Sequence, residues 1–252
     1  MVTYYSLNDE FVAVVSKHGS DADIKVGNPT QLQMPCVQLT VSESDIHIEN
    51  VSFHVDCSIH EDLKNGSDGT VYMVKLALTF VKYLYPHVTT VKLQDSSGYV
   101  DTITRQSTSL PDRDMFLYKM TWYQRKFTEL NFEPDRLREK KVLEKVLSVV
   151  NRKPTKAVCK ELGIAMAETL FDSIQQIHKN HQYDKIRDIF LYYELPSLMN
   201  MSWIGHITCA NPFELVATFT KIRKPIGLKV QWGRGWGEAG EPHFHRVTWI
   251  NN

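Results

Sequence analysis

Apolar and polar positions change period several times along this chain, and those changes predict its elements. Up to about Pro35 the pattern is mixed, with turn signals at Gly19, Ser20-Asp21 and Gly27-Asn28-Pro29; Leu7 to Val15 fits a short helix or a strand. From Cys36 the pattern alternates. Val37, Leu39 and Val41 share one face, and Ile46, Ile48, Val51, Phe53 and Val55 predict a second and third strand. A polar loop from His60 to Asp68 leads to the clearest element. Val71, Val74, Ala77, Leu78, Val81, Leu84 and Tyr85 recur at helical spacing beside a narrow polar stripe of Lys75, Thr79 and Lys82. Such a helix is buried over most of its circumference, and Pro86 stops it. Thr89 to Leu93 then reads as a strand. Strand, loop, helix, short return and strand make a crossover unit, which predicts that the two strands are parallel neighbours or near neighbours.

Phe116 to Phe127 reads as one helix with an aromatic face, and Leu130-Asn131-Phe132 as a return to strand. Past Pro134 the pattern turns helical. Asp135 to Val150 is amphipathic, with Leu143, Val146, Leu147 and Val150 on one face. Thr155–Leu162, Ala167–His178, Asp184–Leu195 and Asn211–Ile222 are four further helical segments, the last opening on an Asn211-Pro212 cap pair. Ile226–Trp232 and Phe244–Ile250 flank a loop with four glycines and read as a β-hairpin. The expected fold is α+β. Residues 1–134 form an α/β domain with a mixed sheet and flanking helices, and residues 135–252 form a helical region ending in the hairpin.

Composition narrows the function classes. Lys plus Arg equals Asp plus Glu at 29 each, so no global field draws the chain to nucleic acid or an anionic membrane. The apolar run at Val71–Leu84 is broken by Lys75 and Lys82 and is too short to span a bilayer. Cys36, Cys57, Cys159 and Cys209 are far apart, and charges occupy the place of an apolar leader. Both point to reduced thiols and an intracellular location. His178 with His181, Cys57 with His60, Cys209 with His206, and His243 with His245 are short spacings without a second pair, so no metal site is expected. Thr155 to Ile177 mimics a helix-turn-helix around Gly163. Its second helix carries Glu168 and Asp172 where phosphates demand cations, which argues for a plain helical hairpin and against nucleic acid. Asp112, Asp114 and Asp135 read as loop acids that cap helices rather than act as bases.

Residues 46 to 133 also resemble the GNAT acyltransferases in element order. In that family a strand leads to a loop whose amides hold the acetyl-CoA pyrophosphate at a helix N-terminus. A strand follows, then a helix ending in Tyr-x-x-x-Gly-Phe, whose tyrosine is often the general acid. The loop here is Leu63-Lys64-Asn65-Gly66-Ser67-Asp68-Gly69-Thr70, and the second block is Phe127-Thr128-Glu129-Leu130-Asn131-Phe132. The resemblance implies cofactor contacts from Lys64, Gly66, Ser67, Gly69 and Thr70. Both blocks depart from the family. Gly66 and Gly69 are three apart rather than two, and Asp68 is anionic, so the loop also reads as a polar turn with Asp68 capping the helix. Asn131 stands for the glycine and tolerates a left-handed backbone. Phe127 stands for the tyrosine, and a phenyl ring donates no proton. The nearest phenol is Tyr123, one turn earlier, and it is the catalytic residue if chemistry survives.

The stretch Thr121-Trp122-Tyr123-Gln124-Arg125-Lys126-Phe127 resembles a block in GNAT-like proteins of large DNA viruses, which implies a viral protein in the host cytoplasm or virion. Three readings follow. One is a catalytically degenerate GNAT-like protein that binds protein partners as a structural component, with no cofactor. Another is an acyltransferase using acetyl-CoA, with Tyr123 as acid. The last, a DNA-associated protein, is opposed by the acidic helix. The glycine-rich C-terminal loop, carrying Trp232 and Trp236, reads equally as a contact loop and as a hairpin tip.

Overall fold

The computed structural model describes residues 1–29, 32, 35–52, 67–100, 107–179, 184–225 and 248–249. The fold is mixed α+β and divides into two units. Unit 1 comprises Met1–Gln94, Glu129–Asn131 and Ile204–His245, and unit 2 comprises Asp95–Thr128, Phe132–Trp203 and Arg246–Asn252. Pro134, where the sequence changes character, lies inside a segment of unit 2.

Unit 1 opens with an antiparallel meander of β1 (Val2–Leu7), β2 (Phe11–His18), β3 (Asp21–Gly27), β4 (Val37–Ser42) and β5 (Asp45–Val51). The first turn is tight, with Asn8 and Asp9 both at positive φ (52° and 57°). Leu7–Val15 therefore contains a strand end, a turn and a strand rather than a helix. In β4 the alternation is as expected, with Val37, Leu39 and Val41 buried. Ile46, Ile48 and Val51 lie on β5, while Phe53 and Val55 lie outside the described residues. From β5 the chain passes to α1 (Ser67–Leu84) and then to β6 (Thr90–Asp95). β6 pairs with β5 in parallel, Asp45 to Thr90 through Ile48 to Leu93.

α1 is buried along most of its length because it packs on the sheet. Phe80 is fully buried and meets Tyr5 and Phe219 edge-on at 5.1 and 5.3 Å. Its polar stripe is less solvated than the sequence implies, since Thr79 and Lys82 are buried. Lys82 Nζ donates to the carbonyls of Pro86 and Val88, which closes the helix C-terminus with a cation where the helix dipole favours one.

The remaining strands are β7 (Gly98–Val100), β8 (Ser107–Ser109), β9 (Glu133–Pro134), β10 (Met201–His206), β11 (Phe219–Ile222) and β12 (Thr248–Trp249). The large mixed sheet has the order β11-β1-β2-β3-β4-β5-β6-β10-β9, and β12-β7-β8 form a small separate sheet. β10 and β11 add strands where the expectation placed only helices ahead of a terminal hairpin. Asn211–Ile222 is not a helix. Asn211 Oδ1 accepts from the Leu215 amide to close a loop, and Phe219–Ile222 then pairs with β1. The hairpin expected from Ile226–Trp232 and Phe244–Ile250 falls outside the described residues, apart from β12.

Unit 2 holds the helices α2 (Leu110–Tyr118), α3 (Trp122–Lys126), α4 (Leu137–Val150), α5 (Lys156–Leu162), α6 (Leu170–Lys179) and α7 (Asp184–Tyr192). Thr155 caps α5 and Gly163 ends it in the left-handed conformation (φ 59°). The six residues between Gly163 and α6 are too many for a helix-turn-helix joint. α6 packs on α2 and α4, whereas α5 packs on α7. The aromatic contact Phe116–Phe190, at 4.8 Å, ties α2 to α7.

Cys36 is disulfide-bonded, which corrects the expectation of four thiols. Cys159 and Cys209 are free, and the remaining cysteine, Cys57, lies outside the described residues.

Candidate functional site

Of the residues that resemblance assigns to acetyl-CoA, Lys64 and Gly66 lie outside the described residues. Ser67 opens α1, so the amides of its first turn point out of the helix end. A helix of 18 residues focuses a partial positive charge there. Gly69 and Thr70 are buried. Within this unit the parallel pairing of β5 and β6 stops at Ile48–Leu93, although β5 runs on to Val51. Carboxyl ends of parallel strands that part in this way are where open α/β sheets admit ligands.

Tyr123 belongs to unit 2 and is not on the long helix that the sequence predicts. That helix is broken into α2 and α3. Lys119 turns left-handed (φ 56°) and returns its amide to the Met115 carbonyl, ending α2. Thr121 then starts α3 with a capping box. Its hydroxyl accepts from the Gln124 amide while the Gln124 side chain accepts from the Thr121 amide. The signal lay in Thr121-x-x-Gln124, the cap pattern that the aromatic periodicity overshadowed. A short 3-10 turn, Thr128–Leu130, follows α3, and Asn131 takes the left-handed backbone expected of it (φ 49°). β9 begins two residues later, so Leu130–Phe132 is not a strand.

The half-buried Tyr123 ring lies in an aromatic cluster, 4.9 Å from Trp122, 6.0 Å from Phe127 and 6.0 Å from Phe132. Burial first, and the negative charge of Asp95 second, push its phenol well above the ordinary tyrosine value. Phe127, at the position of the family's tyrosine, is fully buried.

Beside these aromatics unit 2 gathers acids that the sequence reading took for scattered loop caps or overlooked. Asp95, the last residue of β6, is 2% exposed. Its Oδ1 accepts from the Ser97 amide at 3.1 Å and the Ser97 hydroxyl at 2.5 Å. Burial raises its carboxyl to about 6, against the lowering effect of those two bonds, and the charges of Asp114 and Asp112 push the same way as burial. Asp112 is not a cap but sits in the first turn of α2, where its own amide is capped by the Ser109 hydroxyl. Its carboxylate accepts from Ser197 Oγ and the Leu198 amide, both at 2.6 Å. Burial lifts its pKa as well, opposed by the bonds from Ser197, Leu198 and Ser109.

Asp114, 1% exposed, is clasped by Arg113 Nη2 at 2.9 Å and Arg125 Nη2 at 3.2 Å. Arg125 also lies 4.0 Å over the Tyr118 ring. Asp135, by contrast, is exposed. No alternating or helical periodicity marks the three buried acids. The only local hint is the Ser109-Leu-Pro-Asp112 cap pattern.

Chemically, Asp95 is poised to exchange a proton near neutral pH, whereas Tyr123 keeps its proton there and is a weak acid. Among the described residues no group of three His, Cys, Asp or Glu side chains is placed to hold a metal ion, and no helix is long and apolar enough to cross a membrane. No protein-family model, no curated protein and no solved structure matches the chain.

Proposed function

We propose that this chain is a GNAT-like protein that has lost transfer chemistry and works by binding a protein partner, as a structural component of an assembly of the kind large DNA viruses build. The observation that carries the reading is the state of its two candidate acids. Phe127 fills the tyrosine position with a fully buried ring. Tyr123, the nearest phenol, is held protonated by burial and by Asp95. A phenol displaced upward in this way gives up its proton to a leaving thiolate only against a steep gradient. Supporting the shape side of the reading are the β5-α1-β6 crossover with its parallel register and the left-handed Asn131 at the family's glycine position.

A working acyl-CoA-dependent N-acyltransferase is the second reading. It is favoured by the N-terminus of the 18-residue helix α1 and by the parting of β5 from β6. Titration with acetyl-CoA, followed by calorimetry and by melting temperature, tests the two against each other. The degenerate reading expects neither heat nor a shift. Micromolar binding that disappears in Gly69→Glu would overturn it and favour the acyltransferase reading, which acetyl transfer to an amine would then have to show.

A further inference from the structure

The Leu137–Lys145 stretch of α4 and the middle of the α7–β10 connection border an open groove of about 490 Å³, lined by Leu137, Arg138, Lys141, Val142, Lys145 and Pro196. Its wall is almost wholly carbon, although half of the residues that form it are cationic. Leu137 stands 70% exposed at the helix start, on the apolar wall of this groove. Arg138, Lys141, Val142 and Lys145 fall within roughly 100° of helical arc, so the three cations line one edge at steps of about 4.5 and 6 Å. Among the described residues Arg138 and Lys141 form no ion pair, and Lys145 donates to the Glu194 carbonyl at 3.1 Å. The nearby carboxylate of Glu139 is turned to backbone amides, those of Arg136 and Ser202.

We propose that this groove docks an acidic peptide segment of a partner protein, with one large aliphatic or aromatic side chain seated between Leu137, Val142 and Pro196. Carboxylates flanking that anchor face Arg138, Lys141 and Lys145. Charge complementarity selects the occupant. One exposed leucine beside Val142 and Pro196 suits a single anchoring side chain rather than the broad apolar contact a bilayer makes. The lining carries no aromatic side chain on which a base could stack. Hydrophobic anchor and ionic rim then divide the work, the anchor giving most of the affinity and the rim the selectivity.

The inference rests on the reading of the chain as a binding component, yet the two fail separately. Acetyl-CoA binding would sink that reading and leave the groove untouched. The test uses the full chain and a fluorescein-labelled peptide of alternating Glu and Asp with one central Leu, followed by anisotropy. Expected is saturable binding, weakened roughly tenfold or more by replacing the peptide's Leu with Ser. Leu137→Ser should weaken it comparably. The double variant Arg138→Glu, Lys141→Glu should abolish it at low salt. All these side chains are exposed, and circular dichroism of each variant checks that the fold persists. Absence of peptide binding, equal binding by the wild type and both variants, or tighter binding to phosphatidylserine vesicles or to a DNA duplex than to the peptide overturns the proposal.

Discussion

Replacing Asp95 by Asn tests the buried acid cluster through the linkage between protonation and folding. In the unfolded chain Asp95 titrates at 3.8, whereas in the folded protein burial raises it to about 6. Between those values the folded protein holds a proton that the unfolded chain has shed. The raised group therefore stabilises the fold most below the unfolded value, and that contribution is lost as pH rises through about 6. The size of the change is about 3 kcal/mol, at 1.36 kcal/mol for each tenfold ratio in proton affinity.

Asparagine keeps an oxygen for the Ser97 amide and hydroxyl but cannot ionise, so the variant lacks this pH dependence. The expected result is that Asp95→Asn gains about 3 kcal/mol relative to wild type between about pH 3.5 and pH 7.5. Any constant cost of the carboxamide drops out of that difference. Denaturant unfolding at a series of pH values, followed by far-ultraviolet circular dichroism, measures it. Carbon-detected titration of the Asp95 carboxyl should give a midpoint near 6 in the same protein. A difference that stays flat across the range, or that falls as pH rises, would refute the reasoning.

Asp112→Ala removes the acceptor of two 2.6 Å bonds and strands the Leu198 amide, so a loss of about 2–4 kcal/mol is expected in the same unfolding assay. Asp112→Asn, which retains an acceptor, should cost less than half of that. Thr121→Ala breaks the capping box that starts α3 and should cost about 1 kcal/mol. Trp203 is fully buried with an indole N–H that has no partner among the described residues, so Trp203→Phe should cost less than about 1.5 kcal/mol despite the lost volume. In denatured protein without reductant Cys159 and Cys209 should react with a thiol reagent, and Cys36 only after reduction.

Elements whose burial follows a simple period were legible in the sequence. α1 announces itself by apolar residues on nearly every side, β4 by strict alternation, and the return after Pro86 by the shortness of the chain between helix and strand. The parallel pairing of β5 with β6 then follows from connection length alone. Legibility failed where a local device overrides a period. The aromatic positions from Phe116 to Phe127 fit one helix. The left-handed Lys119 and the Thr121 cap nevertheless divide them, because a capping box satisfies amides that a continuing helix would use differently. Asn211–Ile222 failed for a nonlocal reason. Phe219–Ile222 is short and weakly patterned, and its strand character comes from β1, more than two hundred residues away.

The candidate site shows the same division more sharply. Its legible part is the part that resembles a family, the α1 start and the Phe127–Phe132 block, and that part argues for shape. The three aspartates were illegible because polar residues at irregular spacing read as solvated. Only the tertiary structure brings Ser197 and the Leu198 amide onto Asp112, whereas Ser97 reaches Asp95 from two residues away. Buried carboxylates of this kind are costly unless each is bonded or protonated. Here Asp112 is bonded, Asp114 is clasped by two arginines, and Asp95 is the one driven toward protonation. The same negative charge that raises Asp95's neighbour Tyr123 makes that phenol a poorer acid. The same acids hold the Ser197–Asn200 turn, onto α2 through the Asp112 carboxylate and onto β6 through the Asp95 carbonyl.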